Sequence, residues 1–106
     1  MYRARDHLVY ADHLDTLTEA AADLDLDDEA RSDAVDLLLN ALSDLDDPEE
    51  RTIRALVAAS LYAGALLAGQ ERPQGAVADA VGVSRLTVQQ RWKDLLDDAG
   101  LDTPTW

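Results

Sequence analysis

The 106-residue chain has no cysteine, and this absence excludes disulfide bonds, thiolate zinc sites and thiol catalysis. It also lacks a phosphate-cradling glycine loop and a nucleophile beside a base, so we expect no enzyme activity. The longest apolar segment, residues 56–69, is too short and alanine-rich to cross a bilayer, and the N-terminus has no signal-peptide run. We therefore expect a cytoplasmic protein.

Metal ligands are scarce as well. His7 and His13 are six residues apart, so they point to different faces of a helix. Because no third ligand accompanies them, we expect both to be surface residues. The aspartates within residues 23–27 have the alternate spacing of a calcium loop. However, Asp28 stands where that loop requires glycine, and Ala34 stands where it requires glutamate. We expect no metal and no cofactor.

Positive charge is limited and unevenly placed. The chain has 22 acidic residues against 9 basic ones, for a net charge of -13; Lys93 is its only lysine, and aspartate far outnumbers glutamate. This bias on an alanine-rich chain indicates a proteome adapted to molar salt, where the Debye length falls to about 3 Å and repulsion is screened. The alternative is an acidic interaction domain from a low-salt cell. In molar salt, a negative net charge is no argument against nucleic-acid binding.

Five helical segments and no strand are predicted, because no run alternates apolar and β-branched residues with polar ones. The third has no charge after Arg54 and is apolar almost all round, which is typical of a central helix. With no linker in the chain, we predict one all-α domain over residues 1–106. The first predicted helix spans about residues 6–22. The second begins at Asp27 or Asp28 and is stopped by the DDPEE segment at 46–50. The last three span about 50–68, 74–81 and 84–99.

The last two helices have the pattern of a helix-turn-helix over residues 74–98, within a locally basic segment. Ala78 is small where the helices would approach, Gly82 tolerates a left-handed turn, and Ser84 can cap the second helix. The alternative is a tight helical hairpin with a polar outer side. Residues 72–93 hold four basic residues against one acid: Arg72, Arg85, Arg91 and Lys93 against Asp79.

The polar side of the final helix suits DNA. Its inward stripe is Val88, Trp92, Leu95, Leu96 and Ala99. On the other side, arginine and glutamine match guanine and adenine edges in a major groove, and Leu86 matches a thymine methyl. We expect Arg85, Leu86, Gln89 and Gln90 to contact bases. Arg91 and Lys93 would position the helix against the backbone, or Arg91 would instead pair with an acid on a neighbouring helix.

Residues 72–96, with 58–69 ahead of them and 24–42 further upstream, resemble a cyclin-like repeat of archaeal transcription factor B, the counterpart of eukaryotic TFIIB. The resemblance covers about residues 5–100 and is closest to the second of that factor's two repeats. It implies a five-helix cyclin fold whose last two helices read the promoter element upstream of the TATA box. It also implies contact with TATA-binding protein.

The full factor carries a zinc ribbon, a polymerase-entering linker and two repeats, whereas this chain has room for one repeat. Gln89 stands where the family's recognition helix typically has an arginine. The predicted DNA-contacting residues are Gln74, Ser84, Arg85, Leu86, Thr87, Gln89, Gln90, Arg91 and Lys93.

Two functions are compatible with this sequence. The first is a small DNA-binding transcription regulator that reads double-stranded DNA through the helix at 84–98. The alternative is an interaction module that keeps the cyclin fold and binds TATA-binding protein, RNA polymerase or another regulator through its acidic helices. A lone repeat lacks the neighbour that covers it in the full factor, so we also expect a homodimer, which would supply two half-sites.

The charge pattern predicts salt-dependent folding. Stability should rise from dilute buffer to molar potassium chloride, because the salt screens repulsion among the aspartates. Circular dichroism at increasing temperature measures this directly. An unchanged helical signal and melting temperature between low and molar salt would contradict the prediction.

Overall fold

Five α-helices make up the computed structural model, which describes residues 10–101. This confirms the predicted all-α fold, and residues 10–101 contain no strand. The part of the first predicted helix before Tyr10 lies outside the described residues. The helices are α1 (Ala11–Asp23), α2 (Asp28–Ser43), α3 (Glu50–Leu67), α4 (Gln74–Val81) and α5 (Arg85–Asp98).

Aspartates shape the ends of α2. The Asp27 carboxylate accepts a hydrogen bond from the Ala30 backbone N–H at 3.0 Å and caps the helix, whose start was predicted at Asp27 or Asp28. Asp25 before α2 and Asp47 after it have positive φ values of 56° and 50°. Aspartate tolerates this left-handed conformation better than most residues, so these turns need no glycine.

Helix α3 is the central helix, as its all-round apolar sequence predicted. Every residue from Ala55 to Leu66 is buried, and α3 contacts each of the other four helices. Its charged residues lie in the first turns, where Arg51 and Arg54 remain exposed. The core therefore forms around α3, and only its N-terminal end carries charge to the surface.

Small residues bring α2 and α3 into close contact. Ala30 and Ala34 on α2 are fully buried, and they face Gly64 on α3. A Cβ atom added at Gly64 would lie 2.7 Å from the Ala34 backbone nitrogen and 3.0 Å from the Ala30 carbonyl oxygen. These are backbone atoms that cannot rotate away, so the crossing requires glycine.

Arg72 joins two turns that are distant in sequence. Its Nε donates to the Leu24 carbonyl at 2.8 Å, its Nη2 to the Asp25 carbonyl at 3.0 Å, and its Nη1 to the Gln70 carbonyl at 2.9 Å. The Gln70 side chain accepts from the Asp27 N–H at 3.0 Å. The guanidinium thus holds the α1–α2 turn against the α3–α4 turn, near the negative end of the α1 dipole.

Replacing Gly64 with alanine should destabilise the fold by about 1–3 kcal/mol, because the new methyl group forces α2 and α3 apart. Urea unfolding in molar potassium chloride measures the change. Gly75→Ala is the matched control, since a Cβ there meets only the flexible Arg85 Cδ at 3.9 Å. The control should be neutral or stabilising by up to about 1 kcal/mol. Equal stability of Gly64→Ala and the wild type would refute the close-crossing argument.

Arg72→Ala should lower stability by about 1.5–3 kcal/mol or more, since charge-assisted hydrogen bonds to several backbone carbonyls are lost together. Arg72→Lys should recover only part of this, because an ammonium cannot reproduce the guanidinium fork. Arg51→Ala is the control: Arg51 is exposed and makes one ion pair, 3.7 Å long, with Glu49. The same unfolding assay compares the three variants. A similar small effect in all of them would argue against a stabilising role for Arg72 between the two turns.

Candidate nucleic-acid interface

A left-handed glycine sets the angle between α4 and α5. Gly82 has φ 88° and ψ 36°, and the N–H groups of Gly82 and Val83 both donate to the Ala78 carbonyl, at 2.8 and 3.0 Å. A Cβ atom at Gly82 would meet no atom within 4 Å, so the backbone conformation alone requires glycine here. Ala78 is buried, as the predicted close approach requires.

Ser84 begins α5 as its cap, which confirms the sequence prediction. Its Oγ accepts from the Thr87 backbone N–H at 3.2 Å, and the two side-chain hydroxyls lie 2.8 Å apart. Two predicted DNA-contacting side chains therefore already have an internal role. They order the first turn of α5, from which the following residues project.

The inner side of α5 is fixed by packing. Val88, Trp92, Leu95 and Leu96 are buried, and Ala99 packs half-buried against the core. The Trp92 ring meets the Tyr62 ring edge to face, with centroids 5.2 Å apart and an interplanar angle of 70°. This confirms the predicted inward stripe and fixes the rotation of α5 about its axis.

The outer side of α5 carries the four residues predicted to contact bases, together with one predicted to contact the DNA backbone. Arg85, Leu86, Gln89, Gln90 and Lys93 are all exposed. Leu86 is the most exposed of the large hydrophobic residues in the described part of the chain, at 57%. A leucine this exposed, surrounded by long polar side chains, forms a mixed surface that suits base edges and methyl groups.

The basic residues of α5 are available to a partner. Among residues 10–101 the structure has four ion pairs, and none includes Arg85, Arg91 or Lys93. The alternative for Arg91, an ion pair with an acid on a neighbouring helix, is therefore absent from this part of the chain. The Lys93 Nζ lies 5.5 Å from the Trp92 ring centroid, in a cation–π arrangement.

Gln74, at the start of α4, is partly engaged with the core. Burial raises the pKa of Tyr62, and a hydrogen bond with the Gln74 side chain opposes this rise, while Glu71 adds to it. The Tyr62 hydroxyl lies 3.4 Å from a carboxylate oxygen of Glu71. Gln74 is half-buried, unlike the outer residues of α5.

A cleft beside α5 was not predicted from the sequence. Its volume is about 540 Å³, and it lies between the N-terminal end of α3 and the turn that begins α5. Arg51 and Arg54 line it on the α3 side, and Arg91 lines it on the α5 side. The α3 arginines are distant in the chain from the basic segment 72–93, so the sequence gives no sign that they lie beside Arg91. The available sequence signal was that the charged residues of the apolar α3 are confined to its first turns, which places them at the surface.

Histidine and acidic side chains were the other residues considered for a site. Residues 10–101 contain no group of three or more histidine, cysteine, aspartate or glutamate side chains able to hold a metal. His13 is half-buried rather than at the surface, 3.9 Å from the Glu50 carboxylate and beside Tyr10, and His7 lies outside the described residues. None of the helices within the described range is long and apolar enough to cross a membrane.

Comparison of the sequence with known proteins identifies relatives of this chain. Transcription initiation factor IIB of Pyrococcus abyssi (strain GE5 / Orsay) is 32% identical over 90 residues, which cover 85% of this chain and 30% of that protein. Transcription initiation factor IIB 2 of Halobacterium salinarum is 32% identical over 87 residues, covering 82% of this chain and 26% of that protein. The factor from Methanosarcina mazei is 29% identical over 89 residues, covering 84% and 26%.

The chain thus spans less than a third of the length of these archaeal relatives. The model of the family described as "Transcription factor TFIIB repeat" matches residues 9–98, which include all five helices. This chain, an all-α cyclin-like domain over its described residues, therefore belongs to the TFIIB repeat family.

Proposed function

We propose that this chain is a DNA-binding transcription regulator related to one repeat of archaeal transcription factor B, and that α4 and α5 act as its helix-turn-helix. The observation that carries the proposal is the outer side of α5. There, a chain of net charge -13 presents Arg85, Gln89, Gln90 and Lys93 to solvent around the exposed Leu86. Membership in a transcription-factor family supports the same function.

Helix α5 enters the major groove with its N-terminal half. The groove, about 12 Å wide, admits one helix, and the first two turns of α5 expose arginine and glutamine side chains and contain no acid. Leu86 and Gln90 are one helical turn apart, as are Arg85 and Gln89. In this arrangement Leu86 meets a thymine methyl, the glutamines bind adenine edges, and Arg85 binds guanine.

Base contacts provide most of the affinity at high salt. Releasing counterions from DNA phosphates contributes little in molar salt, so binding depends on hydrogen bonds and apolar contacts to base edges. The hydroxyls of Ser84 and Thr87, which hydrogen-bond to each other, act chiefly by holding the first turn of α5 in place. Lys93 positions the helix against the phosphate backbone.

The chain works beside other transcription proteins in this proposal. The similar proteins are named transcription initiation factors, and the resemblance to factor B implies contact with TATA-binding protein. RNA polymerase or a second copy of this chain are further candidate partners. Pull-down from a high-salt lysate and light scattering of the purified protein at high concentration test these contacts separately.

Selection from a random-sequence duplex library in molar potassium chloride, followed by fluorescence anisotropy, tests DNA reading. If Arg85 or Gln89 makes a bidentate base contact, its replacement by alanine should weaken binding by about 1–3 kcal/mol and relax preference at one base pair. Lys93→Ala should instead weaken all duplexes about equally. Circular dichroism of each variant confirms that it is folded.

Unchanged sequence preference in folded Arg85→Ala and Gln89→Ala would remove α5 as the reading helix. A protein interaction module that binds TATA-binding protein, polymerase or another regulator would then be the better description. Capture of such a partner by both variants, with no duplex selected by the wild type, would identify that function.

A further inference from the structure

We propose that the cleft between α3 and α5 binds a backbone phosphate of double-stranded DNA, held by Arg54 and Arg91 with Arg51 at its edge. The inference rests on the proposed DNA-binding function and adds a second contact surface from a different helix. It makes the N-terminal end of α3, outside the helix-turn-helix, part of the DNA interface.

Three arginines from two separate elements line this cleft. Arg51 and Arg54 lie in the first turns of α3, and Arg91 lies at the middle of α5. Glu50 is the one carboxylate in the lining. On a chain with 22 acidic and 9 basic residues, a cleft lined by three arginines and one acid is a local reversal of charge. Such a reversal attracts an anionic group.

The arginines are free to exchange partners. Arg91 takes part in none of the ion pairs found within residues 10–101. Arg54 lies 3.9 Å from Glu50 and Arg51 lies 3.7 Å from Glu49, and all four side chains are at least half exposed. Exposed pairs of this kind contribute about 0–1 kcal/mol. A phosphate, which accepts short bidentate hydrogen bonds from arginine, is therefore a stronger partner.

The cleft lies where a DNA strand would pass. The helical period of 3.6 residues places Leu86, Gln90 and Lys93 on the outermost side of α5, opposite buried Val88 and Leu95. The same period places Thr87 and Arg91 on the side of α5 that faces α3, where they line the cleft. A helix in a major groove has a sugar–phosphate strand on each side. The strand on the α3 side would meet the three arginines.

Neutral groups complete the cleft for a phosphodiester. Ser84 and Gln90 also line it, and the N-terminal end of α5 begins there. The first N–H groups of a helix have no intrahelical acceptor and favour an anion. A phosphate between α3 and α5 would therefore find hydrogen-bond donors on both sides.

Glu50 has the opposite effect in this arrangement. Its carboxylate lies 3.9 Å from the Arg54 guanidinium and 3.9 Å from the His13 Nε2. Because it shares the cleft with the arginines, it repels a phosphate and competes for Arg54. Removal of this charge should strengthen DNA binding, a direction opposite to that expected for the arginine variants.

The test is anisotropy with the selected duplex and a scrambled duplex of equal length, over about 0.3–1.5 M potassium chloride in which each variant is folded. Arg54→Ala and Arg91→Ala should each weaken both duplexes severalfold, and each should reduce the salt slope by about one. Glu50→Gln should strengthen both duplexes. Arg54→Lys should retain the slope. Arg31→Ala is the matched control, since it removes an arginine on α2 that pairs with Asp28 outside the cleft.

The possible outcomes are distinct. The phosphate site is supported if the cleft variants lose DNA affinity and have a smaller salt slope, whereas Arg31→Ala does not. Sequence preference should stay intact in all of them. If the wild type binds the selected duplex and Arg85→Ala weakens it, but the cleft variants match Arg31→Ala, the phosphate site is overturned and the proposed function stands. No duplex binding by the folded wild type overturns both. Binding of inorganic phosphate with equal affinity to wild type and Arg54→Ala would also count against a built site.

Discussion

The all-round burial of α3 is the constraint on which the rest of the structure depends. A helix that is apolar on every side must be covered on every side, and the other four helices do this. Its closest neighbour, α2, approaches through Gly64 and two alanines. A charge in the middle of such a helix would be buried without solvent, which is strongly unfavourable. The charged residues of α3 are therefore confined to its first turns, and those turns lie beside the start of α5.

Core packing and the candidate interface are linked by this arrangement. Trp92 and Val88 fix α5 against α3, so the same contacts that bury one side of α5 determine which side chains face outward. Gly82 and the Ser84 cap then set where α5 begins. The outer residues are positioned by packing beneath them, and their exposure to solvent follows from the geometry of the helix.

Local signals were sufficient for much of this structure. Helix α2 ends at Ser43, before the stop predicted at 46–50. The bounds of the last three helices, the left-handed Gly82, the Ser84 cap and the inward stripe of α5 were predicted, because each depends on residues within one or two helical turns. Contacts between distant residues were not. Arg72 counted as part of a basic segment, yet its guanidinium is occupied by carbonyls more than 40 positions away. The α3 arginines escaped notice for the same reason, since only the fold brings them to Arg91.

The effects of the acidic residues depend on their surroundings, so net charge alone does not describe them. Hydrogen bonds from the Ala30 backbone and the Gln70 side chain lower the pKa of Asp27, which means that its charged form stabilises the fold above its unfolded pKa. Burial raises the pKa of Asp33, and repulsion from Glu29 and Asp36 raises it further, so its charged form opposes folding at neutral pH. Salt screens the repulsion at Asp33, but it does not remove the effect of burial. We therefore expect the gain in stability from salt to come chiefly from screened repulsion among the acids of α2.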